Sequence, residues 1–275
     1  MTQTKTQWLL LTVALVLAAF YLFPLYWMYV TSLKSASEIY ANPPTFWPLA
    51  PDPSIYPGVW TGRTMPKFLW NSVLIASGVT AITVLLGTGC AYVLARYRSV
   101  WVDIGLFLIL MLQVLPPSVM ITPLFVGFNQ VGLLNFPREA VILAAAAKAM
   151  PFFVVLVRAT FMSVPRELEE AALVDGNSRV GAFFSIVLPL ARNGILVCGI
   201  LTFMSAFGEY IYSKSIIQDP ALQPASVGLA SFLGPNSTDW NSIMAYSAIY
   251  VTPILAAFVI LQRRIVSGLT SGALK

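Results

Sequence analysis

Residues 163–189 read SVPRELEEAALVDGNSRVGAFFSIVLP, and this amphipathic stretch lies between long apolar segments. Pro165 and the acids that follow it suit the first turns of a helix, where negative charge favours the helix dipole. Gly176 suits a sharp turn that ends this helix. A second short helix is predicted to run to about Val187, and Pro189 then starts the next apolar segment. The stretch therefore predicts two short helices lying at a membrane surface.

The composition of the whole chain indicates a membrane protein. Of its 275 residues, 58% are hydrophobic and 10% are charged, whereas a soluble domain carries about 25% charged residues. The chain holds no His, which removes the commonest general base and the commonest metal ligand. Its two Cys, Cys90 and Cys198, lie in separate apolar runs, so neither a disulfide nor a metal site is expected.

Six apolar segments are long enough to cross a bilayer, which takes about 20 residues as a helix. The first has only Lys5 before it, and its apolar core is longer than that of a signal peptide, so it is predicted to remain as a span. The whole chain, 1–275, is then one transmembrane domain. Its predicted spans are residues 8–30, 68–95, 101–128, 140–161, 190–212 and 243–261.

Cations near the span ends predict the orientation. One side of the membrane receives the larger set, namely Lys5, Arg96, Arg98, Arg158, Arg166, Arg179, Arg192, Arg263, Arg264 and Lys275. The other side receives Lys34, Arg63, Lys67, Arg138 and Lys214. Because the richer side is normally cytoplasmic, both termini and residues 163–189 are predicted to be cytoplasmic, and residues 31–67 form a Pro-rich extracytoplasmic loop. The net charge of +5 then reflects orientation rather than nucleic-acid binding.

The stretch 163–189 also carries a specific motif. It resembles the EAA motif of binding-protein-dependent ABC importer permeases, through Glu170-Ala171-Ala172, Gly176, Ile186 and Leu188-Pro189 at the required spacing. The resemblance extends over nearly the whole chain and is greatest to the carbohydrate branch. It includes Ser32-Leu33-Lys34, Asn71-Ser72, Ala91-Tyr92-Val93-Leu94-Ala95-Arg96-Tyr97 and residues 261–275, which resemble the end of a maltose-type second permease.

The resemblance implies a fold, a site and a set of partners. The fold is the all-α type I ABC importer permease fold with cytoplasmic coupling helices, in a bacterial-type inner membrane. The partners are a second homologous permease, two ATPase subunits and an extracytoplasmic solute-binding protein. The residues implied in coupling to the ATPase are Glu169, Glu170, Ala171, Ala172, Asp175, Gly176, Ile186, Leu188 and Pro189.

The chain is not expected to be an enzyme. It contains no Gly-x-x-x-x-Gly-Lys-Ser/Thr stretch, so ATP and Mg²⁺ are expected on the partner ATPase. No catalytic residue, cofactor site or metal site is predicted in this chain.

Polar residues inside the predicted spans mark a candidate solute cavity, because charges at such depth are costly and are often functional. Lys148 and Glu209 are the charged members of this set, and the alternative is a buried ion pair, which they could form with each other, or a side chain that reaches the membrane interface. Around Glu209 the family more often has Trp-Asn, where this chain has Phe207-Gly208. The remaining candidates are Gln113, which precedes the helix-breaking pair Pro116-Pro117, and the aromatic residues Phe152, Tyr246 and Tyr250.

Other functions fit the sequence less well. A secondary transporter would favour inverted repeats, and none is visible. A membrane enzyme would need a cluster of nucleophile, base or metal ligands. Within the importer interpretation, a sugar or sugar-like solute is expected, and glycerol-3-phosphate, a polyol or another non-sugar solute remains the alternative.

Overall fold

The computed structural model of the chain describes residues 2–62, 64–97, 99–233 and 239–270. Regular structure in these residues is helical, as predicted. The α-helices are α1 (Thr2–Ser32), α2 (Ala36–Ile39), α3 (Ile55–Gly62), α4 (Met65–Arg96), α5 (Val100–Met111), α6 (Pro117–Gln130), α7 (Pro137–Met162), α8 (Arg166–Val174), α9 (Arg179–Ala182), α10 (Leu188–Phe207), α11 (Ile211–Ile216), α12 (Ala225–Ala230) and α13 (Trp240–Thr270).

Several of the longer helices are long and apolar enough to cross a membrane. Within the described part of the chain they are Thr6–Ser32, Met65–Arg96, Pro137–Met162, Arg179–Phe207 and Trp240–Gln262. These five correspond to five of the six predicted spans. Among the cations used to predict orientation, Arg63, Arg98 and Lys275 lie outside the described residues.

The remaining predicted span, residues 101–128, is broken in the structure. Helix α5 continues into a 3₁₀ turn, Leu112–Val114, and the axes on the two sides of the break differ by 97°. Pro116 has an extended backbone and Pro117 is the first residue of α6. Because two consecutive prolines supply no N–H for helical hydrogen bonds, the helix cannot continue through them. Residues 101–128 therefore form one membrane span only if α5 and α6 are counted together.

The chain divides into two compact units. Unit 1 comprises Met1–Pro66 and Gly228–Pro253, and unit 2 comprises Lys67–Val227 and Ile254–Lys275. The motif stretch 163–189 and four of the six cavity candidates belong to unit 2, whereas Tyr246 and Tyr250 belong to unit 1.

In unit 1, the predicted Pro-rich loop contains the short helices α2 and α3. Lys34 is 2% exposed and donates to the backbone carbonyl of Thr45. The carboxylate of Glu38 accepts hydrogen bonds from the Thr45 hydroxyl at 2.7 Å and the Leu49 N–H at 3.0 Å. The Thr45 hydrogen bond is the main reason that the pKa of Glu38 lies below its ordinary value. The side chains of Lys34 and Glu38 therefore stabilise this loop through hydrogen bonds to Thr45 and Leu49.

In unit 2, small residues allow the long helices to approach closely. A Cβ atom placed on Gly87 of α4 would lie 2.6 Å from the ring of Phe153 on α7. A Cβ atom on Gly194 of α10 would lie 2.5 Å from Thr160, also on α7. Close approach at small residues is how membrane helices gain packing contact. Helix α7 is thus packed against both neighbours, and the buried cluster among them includes Ala91, Ala95, Val157, Phe161, Val187 and Ala191.

The connection from the motif stretch to the next membrane helix differs from the prediction. Instead of ending near Val187, the second short helix continues through a π-helical turn, Phe183–Val187, into α10. This wider turn precedes Pro189, and it relieves the clash that a proline ring makes with the preceding helical turn. At its other end α10 stops at Phe207, before the predicted limit at residue 212, and α11 follows as a separate helix.

Candidate functional site

One face of α8 is bound to the end of α4 by a buried ion pair. Nε of Arg96 donates to Oε2 of Glu169 at 2.8 Å, and these side chains are 16% and 13% exposed. The hydroxyl of Tyr92 donates to the other carboxylate oxygen of Glu169. Both oxygens of this acid are therefore occupied within the chain, and Glu169 faces inward.

The same arginine also satisfies the end of α7. Nη1 of Arg96 donates to the carbonyls of Phe161 at 3.2 Å and Val164 at 3.4 Å. In the reverse direction, Nη2 of Arg166 donates to the carbonyl of Arg96 at 2.6 Å, at the end of α4. Cations suit helix C-termini, where carbonyls lack helical partners. We call Arg96, Arg166 and Glu169 the arginine clamp, which joins α4, α7 and α8.

An aromatic cluster lies beneath the clamp. Tyr92 of α4 packs against Phe161 of α7 and Phe183 of the π turn, with ring centroids 5.7 Å and 4.6 Å apart. Phe161 and Phe183 are themselves 6.1 Å apart. Such ring pairs add packing energy beyond simple burial. The end of α4, the end of α7 and the motif stretch are therefore one packed assembly in unit 2.

The opposite face of α8 is exposed and carries apolar side chains together with the acids Glu167, Glu170 and Asp175. Leu168 is 45% exposed and Val174 is 87% exposed, and Ala171 lies between them on the same helix face. Glu170 is exposed beside this stripe. The spacing of three residues aligns the apolar side chains along one side of the helix. An exposed apolar stripe with an adjacent charge is typical of a surface that binds another protein.

The turn after α8 is a Schellman motif, which confirms the predicted role of Gly176 in ending the helix. Gly176 has φ +87°, in the left-handed region. Its N–H donates to the carbonyl of Leu173 at 3.1 Å, and the N–H of Asn177 donates to Ala172 at 3.0 Å. Glycine adopts this conformation without the steric penalty of a side chain. The turn is solvent-exposed, and no atom lies within 4 Å of a Cβ placed on Gly176.

The structure thus separates the residues implied in coupling into two groups. Glu169 and Ala172 face the chain itself, and Ile186 and Leu188 are half-buried. The exposed group comprises Glu170, Ala171, Asp175, Gly176 and Pro189. From the sequence, Arg96, Arg166 and Tyr92 contributed to the predicted orientation or to the family resemblance, and no role in coupling was predicted for them. The available signal was a cation at the end of a predicted span and an acid on the inner side of an amphipathic helix.

A cavity of about 590 Å³ lies within unit 2. It is bounded by α4, α7, α10, α11 and the break between α5 and α6. Of the predicted cavity residues, Gln113, Lys148, Phe152 and Glu209 line it, together with Thr202, Ser205 and Tyr210. Tyr246 is fully buried in unit 1, where its ring lies 5.2 Å from that of Phe232. Four of the six predicted cavity residues therefore line one cavity, and Thr202, Ser205 and Tyr210 are lining residues that were not predicted.

Gln113 joins the broken span to the middle of α7. Its Nε2 donates to the backbone carbonyl of Lys148 at 2.6 Å. Non-helical backbone at membrane depth is tolerated where it is buried in protein or lines a cavity. The break at Pro116-Pro117 therefore lies at a wall of the cavity.

Glu209 is held by α11 rather than by Lys148. Its carboxylate accepts hydrogen bonds from the N–H groups of Tyr212 at 2.7 Å and Ser213 at 2.9 Å, and from the Ser213 hydroxyl at 2.5 Å. Among the described residues, ion pairs form only between Arg96 and Glu169 and between Arg158 and Asp103. The alternative of a Lys148–Glu209 pair is not realised in this structure.

Replacing Glu209 with Ala is expected to destabilise α11, because two helical N–H groups lose their acceptor. The expected cost is about 1 kcal/mol, as for other N-terminal caps, and is measured as a fall in the thermal midpoint in detergent. Asp219→Ala is the matched control, since it removes a single exposed bond to the Ala221 N–H. Equal losses in the two variants would contradict the role assigned to Glu209.

Comparison with known proteins finds a family match over most of the chain. Residues 83–271 match the family described as binding-protein-dependent transport system inner membrane component. The matched range contains the arginine clamp, the motif stretch and most of the cavity lining.

Individual relatives match over nearly their full length. The sulfoquinovosyl glycerol transport system permease protein SmoH of Agrobacterium fabrum is 35% identical, over 92% of this chain and 89% of its own. The trehalose/maltose transport system permease protein MalG of Thermococcus litoralis is 32% identical, over 97% and 96%. A crystal structure of a bacterial ABC transporter that imports the acidic polysaccharide alginate aligns with TM-score 0.77 at 18% identity. It covers 95% of this chain and 97% of that one, and the likeness confirms the predicted fold.

Proposed function

This chain belongs to the family of binding-protein-dependent transport system inner membrane components, and we propose that it is the permease subunit of an ABC importer for a sugar or sugar-like solute. The proposal is supported by relatives named for the transport of trehalose/maltose and of sulfoquinovosyl glycerol. Both align over almost the whole chain, including the motif stretch and the cavity.

The observation that carries this function is the division of α8 into two faces. Glu169 binds the inner face to α4 and α7 through the arginine clamp, while Leu168, Ala171 and Val174 present an apolar stripe outward. In the proposed mechanism this stripe docks on an ATPase subunit. Because the inner face is joined to two membrane helices, movement of the docked helix is transmitted into the transmembrane part of unit 2.

The rest of the importer is proposed from the family to which the chain belongs. A second homologous permease pairs with this chain, two ATPase subunits bind on the cytoplasmic side, and a solute-binding protein delivers the solute from outside. Both termini and α8 are then cytoplasmic. ATP and Mg²⁺ act on the ATPase subunits, and this chain binds neither. The cavity of unit 2 is the proposed part of the solute path that this chain contributes.

Purification from the source membrane tests the assignment directly. An importer permease should leave the membrane in mild detergent with an ATPase and a second permease, and the reconstituted complex should couple ATP hydrolysis to solute uptake. If the purified chain moved solute without an ATPase, a secondary transporter would replace the proposed function.

Glu170→Lys is expected to abolish coupled ATPase activity while leaving membrane insertion intact. Glu170 is exposed beside the apolar stripe, so in the docked complex it is positioned to pair with a basic residue of the ATPase. Truncating one partner of a charge pair that is buried in an interface costs about 2–5 kcal/mol, and reversing its charge adds repulsion between like charges. Glu139→Lys is the control, because it makes the same charge change on an exposed acid in the first turn of α7, whereas the motif stretch follows the last turn of that helix. Normal coupled ATPase activity in Glu170→Lys would remove Glu170 from the docking surface.

A further inference from the structure

The two charged side chains that line the unit 2 cavity differ in their hydrogen-bond partners. Its lining contains one acid, Glu209, and one base, Lys148. The carboxylate of Glu209 accepts three hydrogen bonds, from the backbone N–H groups of Tyr212 and Ser213 and from the Ser213 hydroxyl. Among the described residues, no acceptor or acid is bound to the ammonium group of Lys148. Hydrogen bonds therefore stabilise the carboxylate of Glu209, whereas the Lys148 ammonium has no partner in the part of the chain that the structure describes.

The depth of Lys148 makes this charge costly. It is the twelfth residue of the 26-residue helix α7, so it lies about 17 Å from the start of that helix at 1.5 Å per residue. This position is near the middle of a hydrocarbon layer that is about 30 Å thick. Unpaired charges at that depth mark substrate or ion pathways in membrane proteins.

The surroundings of Lys148 favour a bound solute over a structural role. Its backbone carbonyl accepts the hydrogen bond from Gln113, while its side chain is exposed at the cavity. Ser205, Tyr210 and Phe152 lie on the same lining. Hydroxyl groups and aromatic faces suit a sugar, and a single ammonium suits one anionic substituent.

We propose that the solute carries an acidic group, such as a carboxylate, sulfonate or phosphate, and that Lys148 pairs with this group in the cavity. This inference rests on the proposed function, because it names the class of solute for the same path. The hydroxyl groups of a neutral sugar can accept hydrogen bonds from the Lys148 ammonium but do not compensate its charge, so neutral sugars are the disfavoured class.

Uptake by proteoliposomes tests the class of solute. The liposomes contain the complete importer, the solute-binding protein is added outside, and the matched probes are glucose, glucuronate and glucose 6-phosphate. Lys148→Gln is expected to lower uptake of an acidic probe at least about tenfold, the loss typical of a hydrogen bond to a charged group. Lys148→Arg should retain most of the uptake, and Lys214→Gln is the control for charge removal outside the cavity lining. Uptake of glucose alone, unchanged by Lys148→Gln, would overturn the proposal.

A second measurement reads the cavity charge without depending on the binding protein. In a chain with Cys90→Ser and Cys198→Ala, a Ser205→Cys substitution places a thiol on the cavity lining. The ratio of its reaction rates with anionic and cationic methanethiosulfonate reagents should fall about fivefold or more on adding Lys148→Gln, since the local potential becomes less positive. An unchanged ratio would overturn the proposal even if none of the sugar probes is taken up.

These two measurements also separate this inference from the proposed function. ATP-dependent uptake of glucose with an unchanged rate ratio would leave the importer assignment intact and exclude an acidic solute. Failure of the chain to assemble with an ATPase would remove the importer assignment, while the rate ratio would still report the charge of the cavity.

Discussion

Replacing Gly176 with Asp will abolish solute-coupled ATPase activity and leave the chain inserted in the membrane. Gly176 ends α8 in the left-handed region at φ +87°, and nothing lies within 4 Å of an added Cβ. Asp tolerates this conformation better than most residues, so the turn is expected to form at a cost of about 1–2 kcal/mol. The new carboxylate then projects from the exposed docking surface, where it obstructs the ATPase.

Gly132→Asp is the matched control for the backbone strain. Gly132 also has a left-handed backbone, at φ +73°, and the nearest atom to an added Cβ is Nδ2 of Asn135 at 3.8 Å. This glycine follows α6 and lies outside the motif stretch. Both variants should lose similar thermal stability in detergent, and only Gly176→Asp should lose coupled ATPase activity. If both variants lost coupling equally, backbone strain rather than docking would explain the effect.

Replacing Arg96 with Ala will dismantle the arginine clamp and separate α8 from the membrane helices. The substitution leaves the carboxylate of Glu169 with only the Tyr92 hydroxyl, and it leaves the carbonyls of Phe161 and Val164 without a side-chain donor. Removing one partner of a largely buried ion pair typically costs about 3–5 kcal/mol. We expect a loss near the lower limit, about 3 kcal/mol, because the pair keeps slight solvent exposure.

The expected functional result is uncoupling rather than loss of assembly. The apolar stripe of α8 is unaltered in Arg96→Ala, so an ATPase should still bind, while its hydrolysis no longer drives uptake. Arg96→Lys keeps the charge but cannot donate to Glu169 and to the α7 carbonyls at once, so it should restore stability only in part.

The second ion pair of unit 2 provides the control for the clamp. Nη2 of Arg158 binds Oδ1 of Asp103 at 2.8 Å, but the Asp103 side chain is 62% exposed. Exposed pairs contribute about 0–1 kcal/mol, so Asp103→Asn should change stability and coupled uptake little. Equal effects of Arg96→Ala and Asp103→Asn would contradict the special role of the clamp.

The membrane helices and the turn at Gly176 could be predicted because they depend on local patterns. Continuous apolar runs of about 20 residues have one stable arrangement in lipid, a helix with its backbone hydrogen bonds satisfied internally. The turn at Gly176 also depends on a local property, because glycine readily adopts the left-handed backbone conformation that ends a helix. The sequence also located the break at Pro116-Pro117, since prolines remove helical donors wherever they occur. The 97° angle at that break was not predictable, because packing of the two arms against other helices sets it.

The neighbours Glu169 and Glu170 show where local patterns are insufficient. Both acids were predicted to couple to an ATPase, yet Glu169 is bound within the chain and Glu170 is exposed. Adjacent residues on an α-helix point about 100° apart, because each turn has 3.6 residues. Which of the two faces Arg96 depends on how α8 is rotated against α4, and that rotation is set by contacts between residues more than 70 positions apart.

By itself, the sequence determined that this protein is a helical membrane protein with a helix–turn motif between two of its spans. Those features follow from hydrophobicity, proline and glycine, which act over a few neighbouring residues. Only the tertiary structure decided that Glu169 pairs with Arg96 and that, among the described residues, Lys148 forms no ion pair with Glu209. Side chains distant in sequence are paired or isolated only when packing brings their helices together, and the charge of the cavity is a result of that packing.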